Sequence, residues 1–198
     1  TLEWAGYVND IREGQTIRWK NNKRVSEEFY VNNKQQGQCN YFDRQTGKLL
    51  YIRWMNAGKP DSLQTFYANG QRMNRECFND AGLRNGRYFE WSETGSVLVT
   101  GYYFNGQKQF VWKVFYPNSN LKSIATYQLG SLSGAYSRYY ASGKKMFLQQ
   151  FAVGEAETKI EGKPQIWDEN GKPLKPGTPQ YEAIKASVYV EETFVKPV

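Results

Sequence analysis

The chain has 198 residues, enough for one domain of ordinary size, and it is 39% hydrophobic with a mean hydropathy of −0.76. That balance is too polar for a thick globular core, yet 16% of the residues are aromatic, which excludes a disordered chain. The net charge of +7 indicates either an anionic partner or a solvated Lys/Arg face that keeps a sheet soluble. No apolar run approaches the roughly 18 residues of a membrane-spanning helix.

Residues 1–14 are the first predicted element. Apolar side chains are scattered through this segment at Leu2, Trp4 and Tyr7, and we expect the segment to cap the first edge of a sheet. The chain begins at Thr1 rather than Met, which fits either a removed signal peptide or a trimmed sequence.

Seven copies of a repeat follow, over residues 15–174. Each copy has an aromatic residue, then a turn residue, then an aliphatic residue or Met. Successive turn residues are 23 to 28 positions apart, after a degenerate first copy around Asn22. The turn residues are Gly47, Gly70, Gly95, Asn120, Gly143 and Gly171.

Each copy has two turn signals, and short runs rich in Tyr, Phe, Trp, Val and Ile lie between them. Such runs are typical of β-strands. The sequence therefore predicts an all-β protein, an extended antiparallel meander of stacked β-hairpin repeats with about 13 strands. Asn-Gly at 69–70, 105–106 and 170–171 predicts two-residue hairpin turns. Thr-Gly at 46–47 and 94–95 predicts three-residue loops with glycine in the left-handed conformation.

Residues 175–198 are predicted to cap the other edge of the sheet, as terminal segments do in repeat arrays. Thr178 as N-cap and Pro179 at the first helical position predict a short helix near 180–186. The run SVYVEETFV, at 187–195, then predicts a strand.

A recurrent phrase defines the candidate binding residues. It appears as TFYANGQR, GYYFNGQK and RYYASGKK, each with an aromatic pair before the turn and a cation after it. Neighbouring residues on a strand point to opposite faces, so the two rings lie on opposite sides of the sheet. A two-residue turn would then place the second ring opposite the cation. The predicted pairs are Tyr67 with Arg72, Tyr103 with Lys108, and Tyr140 with Lys145.

These pairs support two interpretations. In the first, each ring–cation contact is worth up to about 1 kcal/mol and holds its hairpin together. The first aromatic of the phrase would then pack on a methionine, Phe66 on Met73 and Tyr139 on Met146. In the second, the same row of rings and cations is a platform for a glycan, an anionic lipid head group or a peptide.

The segments FYANGQRMNRECFNDAGLRNG, at 66–86, and YYASGKKMFLQQFAVGE, at 139–155, resemble the bacterial MORN-variant repeat. The likeness extends over about 15–174. The resemblance implies an extended sheet of stacked hairpins with a scaffold or binding role. Bacterial proteins of this type are often labelled antitoxin-like, and eukaryotic ones serve as scaffolds, dimerisers and membrane-apposed modules. The present chain lacks the denser glycine pattern of the eukaryotic repeats, so lipid binding is not carried over.

Several kinds of chemistry are excluded by composition. The chain has no histidine, which rules out Ser-His-Asp and Cys-His catalytic arrangements and nearly excludes the usual zinc sites. It also lacks the glycine-rich phosphate-binding motifs. We therefore predict that the protein is not an enzyme and uses no cofactor or metal. The two cysteines, Cys39 and Cys77, are either buried free thiols or a disulfide made in an oxidising compartment.

The sequence thus predicts a non-catalytic repeat scaffold that binds another macromolecule, in the first place a protein, through an aromatic and basic sheet face. Two alternatives stay open, a glycan or cell-wall binding module and an antitoxin that neutralises a partner toxin. No specific nucleic acid is expected as partner, while an anionic surface or a homodimer through the sheet edges fits the pattern. The bacterial cell envelope or periplasm is the expected location, with the cytoplasm as the alternative.

Overall fold

The structure, a computed structural model, describes residues 1–154 and 158–191. Within these ranges the chain forms an antiparallel meander of 15 strands followed by one helix. The strands are β1 (Leu2–Val8), β2 (Ile11–Lys20), β3 (Lys23–Val31), β4 (Lys34–Gln35), β5 (Gly37–Phe42), β6 (Leu49–Asn56), β7 (Lys59–Phe66), β8 (Arg72–Cys77), β9 (Gly86–Trp91), β10 (Val97–Phe104), β11 (Gln107–Phe115), β12 (Leu121–Gln128), β13 (Ser131–Tyr139), β14 (Lys145–Phe151) and β15 (Ile160–Ile166), and the helix is α1 (Pro179–Glu191).

The all-β meander is confirmed, with two more strands than the 13 predicted. One of them is β1, in the segment expected to cap the sheet edge, which pairs antiparallel with β2 from Leu2 opposite Trp19 to Val8 opposite Ile11. The other is β4, a two-residue strand that pairs with β3 beside the main strand order.

The C-terminal helix is confirmed and is longer than predicted. It was expected near 180–186, whereas α1 runs over Pro179–Glu191. The strand predicted at 187–195 is therefore wrong for 187–191, which are helical, and 192–195 lie outside the described residues. The alternation of Val and Tyr in this run suits a strand, but packing of the helix against the sheet overrides that preference.

The strands fall into two compact units, residues 1–107 and 108–198. The first unit contains β1 to β10 and the second contains β11 to β15 with α1. The predicted repeat region, 15–174, therefore extends over both units.

The second unit has a hydrophobic core between its sheet and α1. Cross-strand pairing places Ala125 opposite Tyr136, and the Tyr181 hydroxyl of α1 donates a hydrogen bond to the Pro164 carbonyl at 2.7 Å. Several of these side chains are almost completely buried, so this region holds most of the apolar stabilisation of the unit. The buried core consists of Ala125, Leu132, Tyr136, Phe147, Phe151, Ile166, Tyr181 and Val188.

The first unit has a more polar interior. Its buried side chains include Glu28, Gln64 and Glu76, beside the apolar Cys39 and Met55. Buried polar groups are tolerated where hydrogen bonds satisfy them, and the amide of Gln64 donates to the Asn74 carbonyl at 2.8 Å. The low hydropathy of the chain is thus reflected in a sheet whose interior is held partly by polar contacts.

The two cysteines are free thiols. Cys39 lies on β5 and Cys77 on β8, three steps apart in the strand order, which separates them by about 14 Å at the usual strand spacing. A disulfide needs Cα atoms within about 7 Å, so the disulfide alternative is wrong. Burial raises the pKa of the Cys39 thiol.

The Asn-Gly turns divide into two kinds. Asn105–Gly106 is a two-residue turn with positive φ at both residues, 47° and 83°, as predicted. At 69–70 and 170–171 the prediction is wrong, because only the glycine has a positive φ and the loop is longer. In the first of these loops the Tyr67 N–H donates to the Gln71 carbonyl at 2.8 Å, which encloses three residues.

The Thr-Gly loops have glycine in the left-handed conformation as predicted, with φ of 75° at Gly47 and 86° at Gly95. The loop at Gly95 encloses three residues, since the Ser92 N–H donates to the Ser96 carbonyl. The loop at Gly47 encloses four, one more than predicted, because its closing hydrogen bond runs to Lys48.

Candidate functional site

The longer loops change the cross-strand pairs of the recurrent phrase. In the hairpin of β7 and β8, Arg72 lies opposite Phe66, so the predicted pairs Tyr67–Arg72 and Phe66–Met73 are wrong. The register shifts just before the loop, and Tyr67 instead pairs through its backbone with Gln71. An extra residue in one strand moves every later partner by one position, which explains the error.

The hairpin of β13 and β14 has the same displaced register. Lys145 lies opposite Tyr139, so the predicted pairs Tyr140–Lys145 and Tyr139–Met146 are wrong. The backbone N–H of Tyr140 donates to the Lys144 carbonyl at 2.8 Å and closes a three-residue loop.

Tyrosines that precede these loops tie one copy of the repeat to the next. The phenols of Tyr67, Tyr116 and Tyr140 each donate a hydrogen bond to a backbone carbonyl, at 2.7 to 2.9 Å. These bonds lie within one unit or the other, and we call them the tyrosine ladder. The acceptor carbonyls, in the same order, belong to Trp91, Tyr139 and Trp167. Two predicted binding residues, Tyr67 and Tyr140, therefore have a structural role.

Removal of one ladder bond should have a small, measurable cost. We expect Tyr140→Phe to lower the free energy of unfolding by about 1 kcal/mol, because the Trp167 carbonyl loses its donor. Tyr139→Phe is the matched control, and urea denaturation of both variants is the measurement. Equal losses in the two variants would contradict the structural role of the Tyr140 hydroxyl.

Three of the other predicted site residues, Tyr103, Lys108 and Lys145, have ring or cation contacts within their own unit. In the first unit the Tyr103 ring meets Tyr88 edge-on at 5.5 Å, and the Arg84 guanidinium lies 5.3 Å from the Tyr103 ring centre. Burial raises the pKa of Tyr103, and Arg84 opposes this rise. Arg72 is exposed.

In the second unit the Lys108 ammonium lies 4.7 Å from the Trp112 ring centre and 4.9 Å from that of Tyr127. Lys145 is exposed, with its ammonium 5.8 Å from the Trp167 ring centre. The structure thus has contacts of the predicted kind, a cation over a ring, at Tyr103, Lys108 and Lys145.

Cations over aromatic rings recur in both units, at 4.7 to 5.9 Å from the ring centres. A cation held in place before binding loses less conformational entropy when an anion arrives, which favours association. The pairs are Arg12 with Tyr7 and Tyr30, Arg53 with Tyr41 and Tyr51, Arg75 with Trp54, Arg84 with Tyr103, Lys108 with Trp112 and Tyr127, Lys122 with Tyr116, and Lys145 with Trp167.

A cavity of about 660 Å³ opens on the first unit and is lined by residues of β2, β3, β5 and β6 and the loop after β5. We call it the tyrosine groove. Tyr41 and Tyr51 lie directly opposite each other on neighbouring strands, and their rings stack with centres 4.5 Å apart. Burial raises the pKa of Tyr41 to about 12, so its hydroxyl remains protonated at neutral pH.

The tyrosine groove carries positive charge. Its lining includes Arg18, Lys20 and Arg44, with Asp43 as the one carboxylate. The Asp43 Oδ1 accepts hydrogen bonds from the Thr46 N–H at 2.6 Å and the Thr46 hydroxyl at 2.7 Å, and these bonds lower the pKa of Asp43. The Asp43 carboxylate therefore forms these hydrogen bonds within its own loop.

The three cations of the groove differ in availability. Arg18 is bound to two carboxylates, at 2.5 Å from Glu28 and 2.6 Å from Glu3. Lys20 and Arg44 are exposed, and among residues 1–154 and 158–191 neither forms an ion pair. The lining of the groove therefore combines two cations that form no ion pair in the described residues with a stacked pair of rings, an arrangement suited to carboxylates next to apolar groups.

Sequence reasoning missed the tyrosine groove, although signals for it exist. Lys20 and Arg44 are 24 residues apart, close to one repeat period, so successive hairpins place both on the lining of one cavity. Tyr41 and Arg44 belong to the looser copy of the phrase, YFDRQTGK.

A second missed signal is the distribution of charge. Residues 94–154 contain six of the 26 basic residues and none of the 19 acidic ones. The rest of the chain is nearly neutral, so this acid-free segment is the source of most of the net charge of +7. A count of carboxylates along the chain would have found it.

Across 1–154 and 158–191, no group of three or more His, Cys, Asp or Glu side chains is placed to hold a metal ion. Over the same part of the chain, no helix has both the length and the apolar character needed to cross a membrane.

The fold defines a class of protein, the β-hairpin repeat protein. The MORN repeat variant family matches residues 111–129, which include the end of β11, the following loop and β12. Repeats of this family are generally binding or scaffold modules and are generally not enzymes. The comparison with curated proteins finds no significant match to the chain.

Proposed function

We propose that the protein is a non-catalytic repeat protein that binds a partner protein and holds an acidic segment of that partner in the tyrosine groove. The observation that carries this proposal is that one cavity is lined both by the available cations, Lys20 and Arg44, and by the stacked rings of Tyr41 and Tyr51. The rings offer a large apolar surface that loses little conformational entropy on binding, and the cations would pair with carboxylates.

Two further observations support a protein partner with acidic character. The chain has a net charge of +7, which attracts and orients acidic partners before contact. The repeat type matched at 111–129 generally serves in binding or as a scaffold.

Charge reversal in the groove provides the test. The immobilised protein is exposed to extract of its source cells and eluted in rising salt, and retained proteins are identified by mass spectrometry. We expect the double substitution Lys20→Glu and Arg44→Glu to weaken the binding of a purified partner at least about tenfold, since two charge contacts are lost. The control with the same charge change is Lys59→Glu with Arg87→Glu, two exposed cations outside the groove.

The outcomes separate the candidate functions. A partner that binds the groove variant as tightly as the native protein would contradict the proposal. Binding that survives high salt and is displaced by free sugars would instead favour the glycan module, because ring stacking on a sugar is uncharged. The antitoxin role and the envelope location stay predictions, and the identity of the partner would test both.

A further inference from the structure

The first strand, β1, lies at one end of the strand order and pairs only with β2 in the described residues. Arg12 of β2 uses its N–H and its carbonyl for hydrogen bonds with Asn33, which follows β3 on the far side of β2. Tyr7 lies opposite Arg12 and therefore directs its own N–H and carbonyl to the free edge. Because this direction alternates along a strand, the backbone groups of Ala5 and Glu3 also point to that edge.

β1 remains one uninterrupted strand over Leu2–Val8, although its register with β2 shifts. Ala5 and Tyr7 are two residues apart, whereas their partners on β2, Thr16 and Arg12, are four residues apart. The extra residues of this irregularity therefore belong to β2, and the free edge of β1 keeps a regular row of backbone donors and acceptors.

The edge lacks the usual protection against pairing with another strand. Natural edge strands are often protected by Lys or Pro, and β1, with the sequence LEWAGYV, has neither. Its one charged side chain, Glu3, is held on the sheet at 2.6 Å from both Arg12 and Arg18. Four of the seven residues of β1 are large apolar or aromatic side chains with 55% to 69% of their surface exposed, namely Leu2, Trp4, Tyr7 and Val8.

One face of this edge is apolar across two strands. Side chains directly opposite each other share a face, and Leu2 lies opposite Trp19 while Trp4 lies opposite Ile17. Val8 is six residues after Leu2, so alternation along the strand places it on the same face. A further strand that continued this face would remove apolar surface from water.

The sequence of β1 is self-complementary for antiparallel pairing about Ala5. A two-fold axis there would place Ala5 opposite Ala5, and Glu3 opposite Tyr7 of the second copy. Leu2 would lie opposite Val8, so the apolar face would continue from one copy to the other. The backbone groups of Glu3, Ala5 and Tyr7 would exchange about six hydrogen bonds, and no two like charges would lie opposite each other.

The net charge of the chain does not oppose this contact. Residues 1–31, which contain β1 to β3, have five basic and five acidic residues, so the charge of +7 comes from the rest of the chain. Exposed charges further apart than about 8 Å are largely screened at physiological salt, so two neutral ends can approach.

We propose that β1 is a self-association edge, and that two copies of the protein pair antiparallel through it about a two-fold axis at Ala5. The sheets of the two first units would then be continuous. A second copy is the favoured occupant because the strand complements itself in charge, in apolar pairs and in backbone hydrogen bonds. The inference does not depend on the tyrosine groove or on an acidic partner, so each proposal can fail without the other.

Sedimentation equilibrium of the chain over a range of concentrations provides the test. We expect the mass to rise from 23.0 kDa toward twice that value and no further, since a two-fold pairing closes on itself. The double substitution Leu2→Lys and Val8→Lys would place lysine opposite lysine at both ends of the interface. It should raise the dissociation constant of the dimer at least about tenfold.

The matched control changes the same two positions. Leu2→Lys with Val8→Glu would place lysine opposite glutamate of the second copy, and its dissociation constant should be about tenfold lower than that of the double-lysine variant. Positions 2 and 8 are about 20 Å apart on an extended strand, so the new side chains cannot pair within one copy. Circular dichroism of both variants checks that each keeps the native fold.

Three results would overturn the inference. One is a native chain that keeps a mass of 23.0 kDa up to about 0.5 mM. Another is the same dissociation constant for the two variants, which would exclude the proposed register. The third is a native chain that stays monomeric while the double-lysine variant loses a captured protein, since the edge would then take a strand of that protein.

The groove variant separates this inference from the proposed function. Lys20→Glu with Arg44→Glu should form the native dimer and lose the acidic partner. A dimer that fails while the acidic partner is retained by the native groove would overturn self-association alone.

Discussion

Phe147→Ala is expected to lower the free energy of unfolding by about 3–5 kcal/mol. The Phe147 side chain is completely buried in the core of the second unit. It lies opposite Ile166 on β15, and its ring meets Tyr136 with centres 6.0 Å apart. Alanine would remove these contacts and leave a cavity that the surrounding strands cannot fill, since each is fixed by hydrogen bonds to its neighbours.

Leu148→Ala is the control for this substitution. Leu148 is the next residue along β14 and is only half-buried. We expect a loss of no more than about 2 kcal/mol for the control, because less apolar surface is lost. Urea denaturation followed by tryptophan fluorescence measures both variants. A loss for Phe147→Ala as small as that of the control would show that the sheet and α1 do not enclose a packed core.

Glu28→Gln is expected to lower the free energy of unfolding by about 3 kcal/mol, the usual result when one partner of a buried ion pair is removed. The Glu28 side chain is almost fully buried, and its carboxylate accepts hydrogen bonds from Arg18 at 2.5 Å, Tyr30 at 2.6 Å and Gln35 at 2.9 Å. Glu27→Gln is the matched control, because Glu27 is the adjacent residue and is less buried.

The stability difference between the native protein and Glu28→Gln should also depend on pH. Burial tends to raise the pKa of Glu28, but the hydrogen bonds from Tyr30, Arg18 and Gln35 outweigh it and hold the pKa below the ordinary value of 4.5. The stabilisation from Glu28 is therefore fully present above pH 4.5 and is lost as the pH falls through the lowered pKa of the folded state. The stability difference between the native protein and Glu28→Gln should shrink over that acidic range. A difference that stays constant down to pH 2 would contradict the lowered pKa.

The repeat could be predicted from the sequence because turn residues recur at a near-constant spacing, which fixes where the chain reverses. The register of the strands could not be predicted, because the same dipeptide, Asn-Gly, forms two different loop geometries. Asn105–Gly106 forms a two-residue turn, whereas Asn69–Gly70 lies in a three-residue loop. At the second place the Tyr67 hydroxyl is bonded to the Trp91 carbonyl of the next copy, a long-range contact that the local sequence does not show.

The pairing of rings with cations could be predicted from the sequence, but the cross-strand partners at Tyr67 and Tyr140 could not. Rings paired with cations follow from the composition of the phrase, but Tyr67 and Tyr140 use their hydroxyls to hold neighbouring copies together. The tyrosine groove depends on strand order, which places Lys20 and Arg44 on the lining of one cavity.

Hydrogen–deuterium exchange of the protein, alone and with its captured partner, tests the central claim most directly. The account predicts slower exchange on binding in the segments that line the tyrosine groove, above all 41–51, with little change in 59–93. Slower exchange confined to 59–93, with 41–51 unaffected by a tightly bound partner, would contradict the claim that the groove is the binding site.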